Sequence, residues 1–185
     1  MSRHSWPAVL VALVAVQVAL LFLYQRVEQG HDREGLVVTA EPRSEPGHDL
    51  VVELSDGFRH SVTARSDRYQ LIHFWATWCP PCVKEIPSLS GLARRDPARL
   101  RVWAVSTDPR WENLRDFFRG RVPDHVVRDP RGEEIHAYSV RGLPDSYLVN
   151  PEGRVVARFA GGQDWGAKEM DEILSRLTRE IGRVE

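Results

Sequence analysis

A chain of 185 residues has room for one ordinary domain plus an appendage, and a net charge of −1 with no long block of like charge argues against a nucleic-acid partner. An apolar fraction of 42% with six tryptophans is ample for a packed core, whereas two cysteines are too few for a disulfide scaffold.

Residues 1–7 form a short leading segment, and residues 8–24 are an uncharged, largely apolar run. As a helix that run spans about 26 Å, close to the hydrocarbon thickness of a bilayer. Trp6 and Tyr24 bracket it as interfacial aromatics do. A cleaved signal peptide needs small residues just past the apolar stretch, and Gln25, Arg26, Val27, Glu28 and Gln29 supply none. No cysteine stands nearby for lipid attachment. The run is therefore expected to be an uncleaved transmembrane anchor. Arg3 before it is balanced by Arg26 and Arg33 after it, so the positive-inside rule does not orient it. One large domain behind an N-terminal anchor favours export of that domain.

Residues 25–48 are polar, carry Gly and Pro, and are expected to be a linker, with Leu36, Val37 and Val38 at most a short edge contact. The domain proper is expected over residues 49–185. Leu50 to Leu54 and Phe58 to Val62 flank Ser55-Asp56-Gly57, which predicts a β-hairpin. The apolar run from Tyr69 to Trp75 predicts a central strand, and His73 inside it is expected to be a hydrogen-bonded core histidine, with a proton-relay role as the alternative.

The two cysteines of the chain, Cys79 and Cys82, follow that strand and open a helical pattern. Such a placement sets the first sulfur at a helix N-terminus, where unpaired N–H groups and the macrodipole favour a thiolate. The second lies about one turn further on, within reach of a disulfide. This pattern reads as a redox dithiol. A zinc site would need two more ligands, and none of the seven histidines is paired at ligand spacing. A structural disulfide closing so small a loop would stabilise little.

Beyond the cysteines, Ile86, Leu89 and Leu92 mark the apolar face of a helix that Pro87 interrupts. Leu100 to Ser106 predicts a buried strand. Asp108 is expected to cap the next helix with Pro109 at its first position, Trp111, Leu114, Phe117 and Phe118 facing the core and Gly120 ending the run. A short strand at His125, Val126 and Val127, a brief helix from Glu133 to Tyr138, and two strands around Asn150-Pro151-Glu152-Gly153 follow. Met170, Ile173, Leu174, Leu177 and Ile181 recur at the spacing of a final helix. This order predicts an α/β fold, a mixed sheet with helices on both faces and an extra N-terminal hairpin.

Trp78-Cys79-Pro80-Pro81-Cys82 after Phe74-Trp75-Ala76 resembles a thioredoxin-fold active site, and Val83-Lys84-Glu85-Ile86-Pro87 resembles the membrane-tethered TlpA, ResA and CcmG type of thiol–disulfide oxidoreductase. The resemblance runs from about Leu50 to the C-terminus and includes Gly142-Leu143-Pro144. It implies that Cys79 attacks and Cys82 resolves a mixed disulfide, and that Pro144 is a cis-proline facing the dithiol. Trp78, Pro80, Pro81, Gly142, Leu143 and Pro144 would then contact substrate. Glu85 would sit near the active site, where spacing alone equally allows a solvated surface residue beside Lys84. Two departures are His73, where thioredoxin has a buried acid, and Asp145, where the family more often has a threonine.

Pro80 and Pro81 offer the sulfur no hydrogen-bonding side chain, and Pro81 no N–H. The couple is accordingly expected nearer the reducing end of a range from about −270 mV for thioredoxin to about −120 mV for DsbA. The implied protein is a membrane-anchored, extracytoplasmic reductant of exported protein disulfides, for example in cytochrome c maturation, in the inner membrane with its domain on the periplasmic side. Its expected partners are exported proteins with thiol or disulfide pairs, a membrane electron donor and the bilayer, with no nucleic acid. It needs no cofactor besides the redox-active Cys79–Cys82 disulfide. An exported oxidant is the nearest alternative. A copper-handling chaperone would want a methionine or histidine beside the soft cysteine ligands, and Met1 and Met170 both lie far from the motif. A peroxidase would want a lone cysteine after Pro and Thr.

Overall fold

The computed structural model describes residues 10, 11, 13–20, 38, 39 and 46–180. Two units divide the chain, Met1–Val37 and Val38–Glu185. In the first, residues 10, 11 and 13–20 are helical, and apolar side chains such as Leu10, Val14 and Leu20 are exposed. Among the described residues no helix is long and apolar enough to cross a membrane. The rest of the anchor expected over residues 8–24, the segment 1–7 and most of the linker expected over residues 25–48 lie outside the described residues.

The second unit runs β1 (Val38–Thr39), β2 (Leu50–Glu53), β3 (Arg59–Val62), β4 (Tyr69–Trp75), α1 (Pro80–Arg95), β5 (Leu100–Ser106), α2 (Trp111–Phe117), β6 (Val126–Arg128), α3 (Glu133–Ala137), β7 (Asp145–Val149), β8 (Val155–Ala160) and α4 (Lys168–Glu180). The strands form one sheet in the order β1-β8-β7-β4-β5-β6-β2-β3. β4 runs parallel to β5 and antiparallel to β7, and β5 runs parallel to β6, so the sheet is mixed.

Both faces of β4 are covered, which is why its sequence is almost continuously apolar rather than alternating. Leu71 and Trp75 feed one core with Ile86, Leu89 and Leu92 of α1, Trp111 and Leu114 of α2, and Met170 and Leu174 of α4. Ile72 and Phe74 feed the other with Leu50 and Val52 of β2, Tyr147 and Val149 of β7, and Tyr138 just after α3. Helices on both faces of a mixed sheet match the expected architecture.

The expected hairpin is present, paired from Leu50↔Val62 to Glu53↔Arg59. Gly57 takes φ +84° in its turn, a conformation that only glycine adopts without strain, and Asp56 Oδ1 accepts from Phe58 N at 2.8 Å. β2 also bonds β6 through Glu53↔Arg128, so the hairpin widens the sheet. Val51 N donates to Glu134 Oε1, and Arg128 Nη2 to Glu53 Oε1, both at 2.8 Å. At the opposite edge, Val38 and Thr39 pair with Phe159 and Arg158, so Val38 makes an edge contact, while Leu36 and Val37 lie outside the described residues.

One expected helix start is corrected. Asp108 is not an N-cap, and Pro109 is not the first helical residue; α2 begins at Trp111, with Arg110 at the cap. The carboxylate of Asp108 is buried and engaged elsewhere, by Thr77 and Ser106, and so is withdrawn from the helix terminus. The other segments fall within two or three residues of expectation, and Ile181 lies outside the described residues.

Asp145, where a threonine was the commoner expectation, opens β7 with a buried carboxylate. Arg158 of β8 reaches it through Nη2 at 2.6 Å and Nε at 3.0 Å, and Tyr147 Oη donates to it at 2.9 Å. Removing the guanidinium strands a buried charge. Arg158→Met is therefore expected to lower stability in urea by about 2 kcal/mol, and adding Asp145→Thr to recover most of that loss.

Candidate active site

Cys79 is the N-cap residue of α1, with extended backbone, and Pro80 and Pro81 occupy the first two helical positions. Prolines fit there because their missing N–H groups would have had no partner inside the helix. The consequence is that the first two donors expected at a helix N-terminus are absent beside the sulfur. Cys79 and Cys82 are joined in a disulfide, their Cα atoms 5.3 Å apart. Cys79 is 5% exposed and Cys82 fully buried, while Trp78 beside them is 66% exposed.

The loop that carries Trp78 and Cys79 is pinned from β5. Asp108 Oδ2 accepts from Thr77 N at 2.9 Å, and Oδ1 from Thr77 Oγ1 at 2.6 Å. Ser106 Oγ donates to the same carboxylate at 2.7 Å. Arg128, which holds Glu53 of the hairpin, also donates to the backbone oxygen of Asp108 at 3.4 Å. The added hairpin thus braces the network that holds the dithiol loop.

From the other side comes the cis peptide bond Leu143–Pro144 that the resemblance implied. Phe74 pairs with Asp145, so the cis-proline lies one position further out, beside the end of β4 from which the cysteine loop departs. Pro144 O accepts from Gly161 N at 3.0 Å, tying this turn to the loop between β8 and α4. Gly142 is exposed and Leu143 half-buried between the two cores. A Cβ on Gly162 of that loop would stand 3.9 Å from Pro81, so the loop closes over the start of α1.

Glu85 lies one turn beyond Cys82, and it is not the solvated surface residue that spacing allowed. It is 4% exposed, and its Oε2 accepts from Gln163 N and from Trp165 Nε1, each at 2.9 Å. Its Oε1 makes no hydrogen bond and faces His73 Nε2 at 3.7 Å, another buried atom without one. His73 is the expected hydrogen-bonded core histidine, with Nδ1 and Ser146 Oγ 2.8 Å apart. Burial pushes Glu85 up to about 7 against the two donors, and pushes His73 down to about 3. The 3.7 Å approach is therefore a contact of two neutral groups over most of the acidic range.

Trp165, Gln163, Thr77 and Asp108 belong to this site, and sequence reasoning did not find them. For Trp165 a signal existed, because a buried indole N–H needs an acceptor and acids are the strongest ones. Trp165 is completely buried, packed edge-on against His73 and Phe159. Asp108 was visible but carries an equally good signature for a cap.

The pair has opposed effects on stability. Glu85, raised from 4.5 to about 7, contributes stability that is present below pH 4.5 and lost as pH rises to about 7. His73, lowered from 6.5 to about 3, contributes stability that is present above pH 6.5 and lost as pH falls toward 3. Between pH 4.5 and 6.5 the two oppose each other. Glu85→Gln should uncover the histidine slope. Urea unfolding of the oxidised variant is expected to show stability rising with pH in that window, by on the order of 1 kcal/mol per unit relative to the unaltered protein.

Residues 46–158 match the model of the AhpC/TSA family. Over 121 residues the chain is 32% identical to a thiol:disulfide interchange protein DsbE homolog of Paracoccus denitrificans, covering 63% of this chain and 65% of that relative. Over 115 residues it is 30% identical to the thiol-disulfide oxidoreductase ResA of Bacillus subtilis, covering 61% and 64%. It thus spans just under two thirds of the length of both relatives. A solved thiol:disulfide interchange protein of the thioredoxin family from Chlorobium tepidum TLS superposes with a TM-score of 0.62 at 21% identity, over 75% of this chain and 99% of that one. That likeness establishes the thioredoxin-type fold. Since the family match extends over more than half of the sequence, from the residues ahead of β2 into β8, the chain belongs to the AhpC/TSA family.

Proposed function

We propose that this protein is a thiol–disulfide oxidoreductase that reduces disulfides of exported proteins. The observation that carries this reading is the Cys79–Cys82 pair at the start of α1, with a buried acid one turn below it. The names of the Paracoccus and Bacillus relatives support the same chemistry.

The Cys79 thiolate attacks one sulfur of the substrate disulfide. A Cys79–substrate bond forms, the substrate S–S bond breaks, and its other sulfur leaves as a thiolate. The Cys82 thiol, deeper in the fold, has its pKa raised by desolvation and is a poor nucleophile until it loses its proton. Glu85 takes that proton. The Cys82 thiolate attacks Cys79 Sγ, the bond between Cys79 and the substrate sulfur it had captured breaks, Cys79–Cys82 closes, and that sulfur leaves as a thiolate. Two electrons have passed from the dithiol to the substrate, and a membrane electron donor returns them.

Trp78, exposed beside Cys79, with exposed Gly142 and half-buried Leu143, forms the surface that receives the substrate, the Leu143 backbone pairing with an extended segment and the buried Pro144 backing it. Pro80 and Pro81 contribute no donor to the Cys79 thiolate, which favours the reducing direction. Residues 8–24 hold the protein to the inner membrane and set the domain on the periplasmic side. Their freedom from charge and the exposure of the described apolar side chains support that placement. A disulfide between the cysteines of an exported apocytochrome c fits as a substrate, its thiols being the product.

Trapping tests the assigned roles. Cys82→Ser cannot resolve the mixed disulfide, so exported partners are expected to accumulate as adducts on Cys79 that reductant releases, while Cys79→Ser traps few or none. Equal trapping by the two variants would remove the assignment.

A further inference from the structure

The proton that leaves Cys82 needs a place to stay while the disulfide is closed, and the geometry around Glu85 points to one. Glu85 Oε2 already accepts two N–H groups, from Gln163 and Trp165, as the carbonyl oxygen of an acid does. An acid proton therefore belongs on Oε1. The atom Oε1 faces is His73 Nε2, 3.7 Å away, and neither of these buried atoms has a hydrogen-bond partner. An unpaired buried donor or acceptor is costly, and these two can satisfy each other across a small approach.

We propose that His73 is a positioning residue for this proton: with Cys79–Cys82 closed, Glu85 carries it on Oε1 and directs it at His73 Nε2, while His73 keeps its own proton on Nδ1 against Ser146 Oγ. The proposal rests on the reading of Glu85 as the acceptor of the Cys82 proton. The Cys82 S–H bond breaks and the Glu85 Oε1–H bond forms, while the N–H bond of His73 stays as it is. The proton lost by Cys82 in forming the disulfide is the one held here, and it returns to Cys82 when the disulfide is reduced.

The surroundings favour the neutral arrangement over an imidazolium–carboxylate pair. His73 is fully buried in β4, its ring set edge-on to Trp165 at 6.2 Å between centroids. From α1 the titratable neighbour is Cys82, here in the disulfide, while Lys84 is exposed. The loop before α4 presents the neutral donors of Gln163 and Trp165, and Asp164 is exposed with its Oδ1 receiving Gly166 N. β7 presents the Ser146 hydroxyl. Two charges in such a site would each be desolvated, and burial pushes both groups toward their neutral forms.

Nitrogen NMR of the oxidised full-length protein, labelled at histidine, reads the tautomer directly. The expected result is a neutral His73 with its proton on Nδ1 at about pH 6, and an Nε2 resonance that moves with a midpoint near 7, as Glu85 loses its proton. In Glu85→Gln that movement should vanish. His73→Leu removes the acceptor of the acid proton, so the Glu85 carboxyl, followed by carbon NMR, should titrate lower by about half a unit to one unit. Ser146→Ala, a smaller change that serves if His73→Leu does not fold, should shift it in the same direction. A proton found on Nε2, an imidazolium at about pH 6, or a Glu85 midpoint that rises or stays in both variants overturns the proposal. Exchange kinetics of Glu85→Gln judge the base role separately. Unchanged kinetics with a titrating Nε2 would remove that role and leave the proton-holding pair standing.

Discussion

The site depends on one buried carboxyl. Glu85 sits a turn below Cys82 with no solvent to stabilise its charge, and two N–H donors on one oxygen only partly offset that loss. A carboxyl in water stays ionised until well below neutrality. Moved up to about 7, this one can hold or release a proton at physiological pH, which is the property a partner for a buried thiol requires. Trp165 contributes on both counts: its ring excludes water and its N–H fixes Oε2, leaving Oε1 to His73.

The fold supplies this arrangement from four directions. β4 brings His73 beneath α1, β7 places Ser146 against it through the His73↔Ser146 pairing, and the loop before α4 delivers Gln163 and Trp165. Asp108 at the end of β5 holds Thr77, so the turn into Cys79 is fixed by a carboxylate and not by the helix alone. The same pole of the sheet carries the Glu53–Arg128 contact, through which the added hairpin supports Asp108. A carboxylate that receives a backbone N–H and two hydroxyls is a rigid support, because each oxygen is committed.

Much of this was legible in the sequence. The run from Tyr69 to Trp75, ending at a Cys-Pro-Pro-Cys turn, identifies the central strand and the helix that follows. Asp56-Gly57 identifies the hairpin, whose geometry is local. Glu85 was visible as a candidate, but spacing alone could not tell a buried acid from a surface one, since that depends on a loop nearly 80 residues downstream. Gln163 was illegible for the same reason, and the need of Trp165 for an acceptor could be read without naming Glu85: the pairing exists only once α4 has folded back onto α1. Asp108 shows the limit of local rules, because an Asp-Pro pair ahead of an apolar helix is a good cap signature that a tertiary acceptor role overrode.

The most direct test of the account is the resolution step itself. Stopped-flow measurement of intramolecular attack by Cys82 on a preformed Cys79 mixed disulfide, across pH, isolates the proton transfer. The account predicts a rate that rises through about pH 7 as Glu85 becomes available as a base. In Glu85→Gln the rate should be slower by about 10²–10⁴-fold and lack that inflection. Superimposable profiles for the two proteins would contradict it, leaving Glu85 a buried structural acid beside a dithiol that works alone.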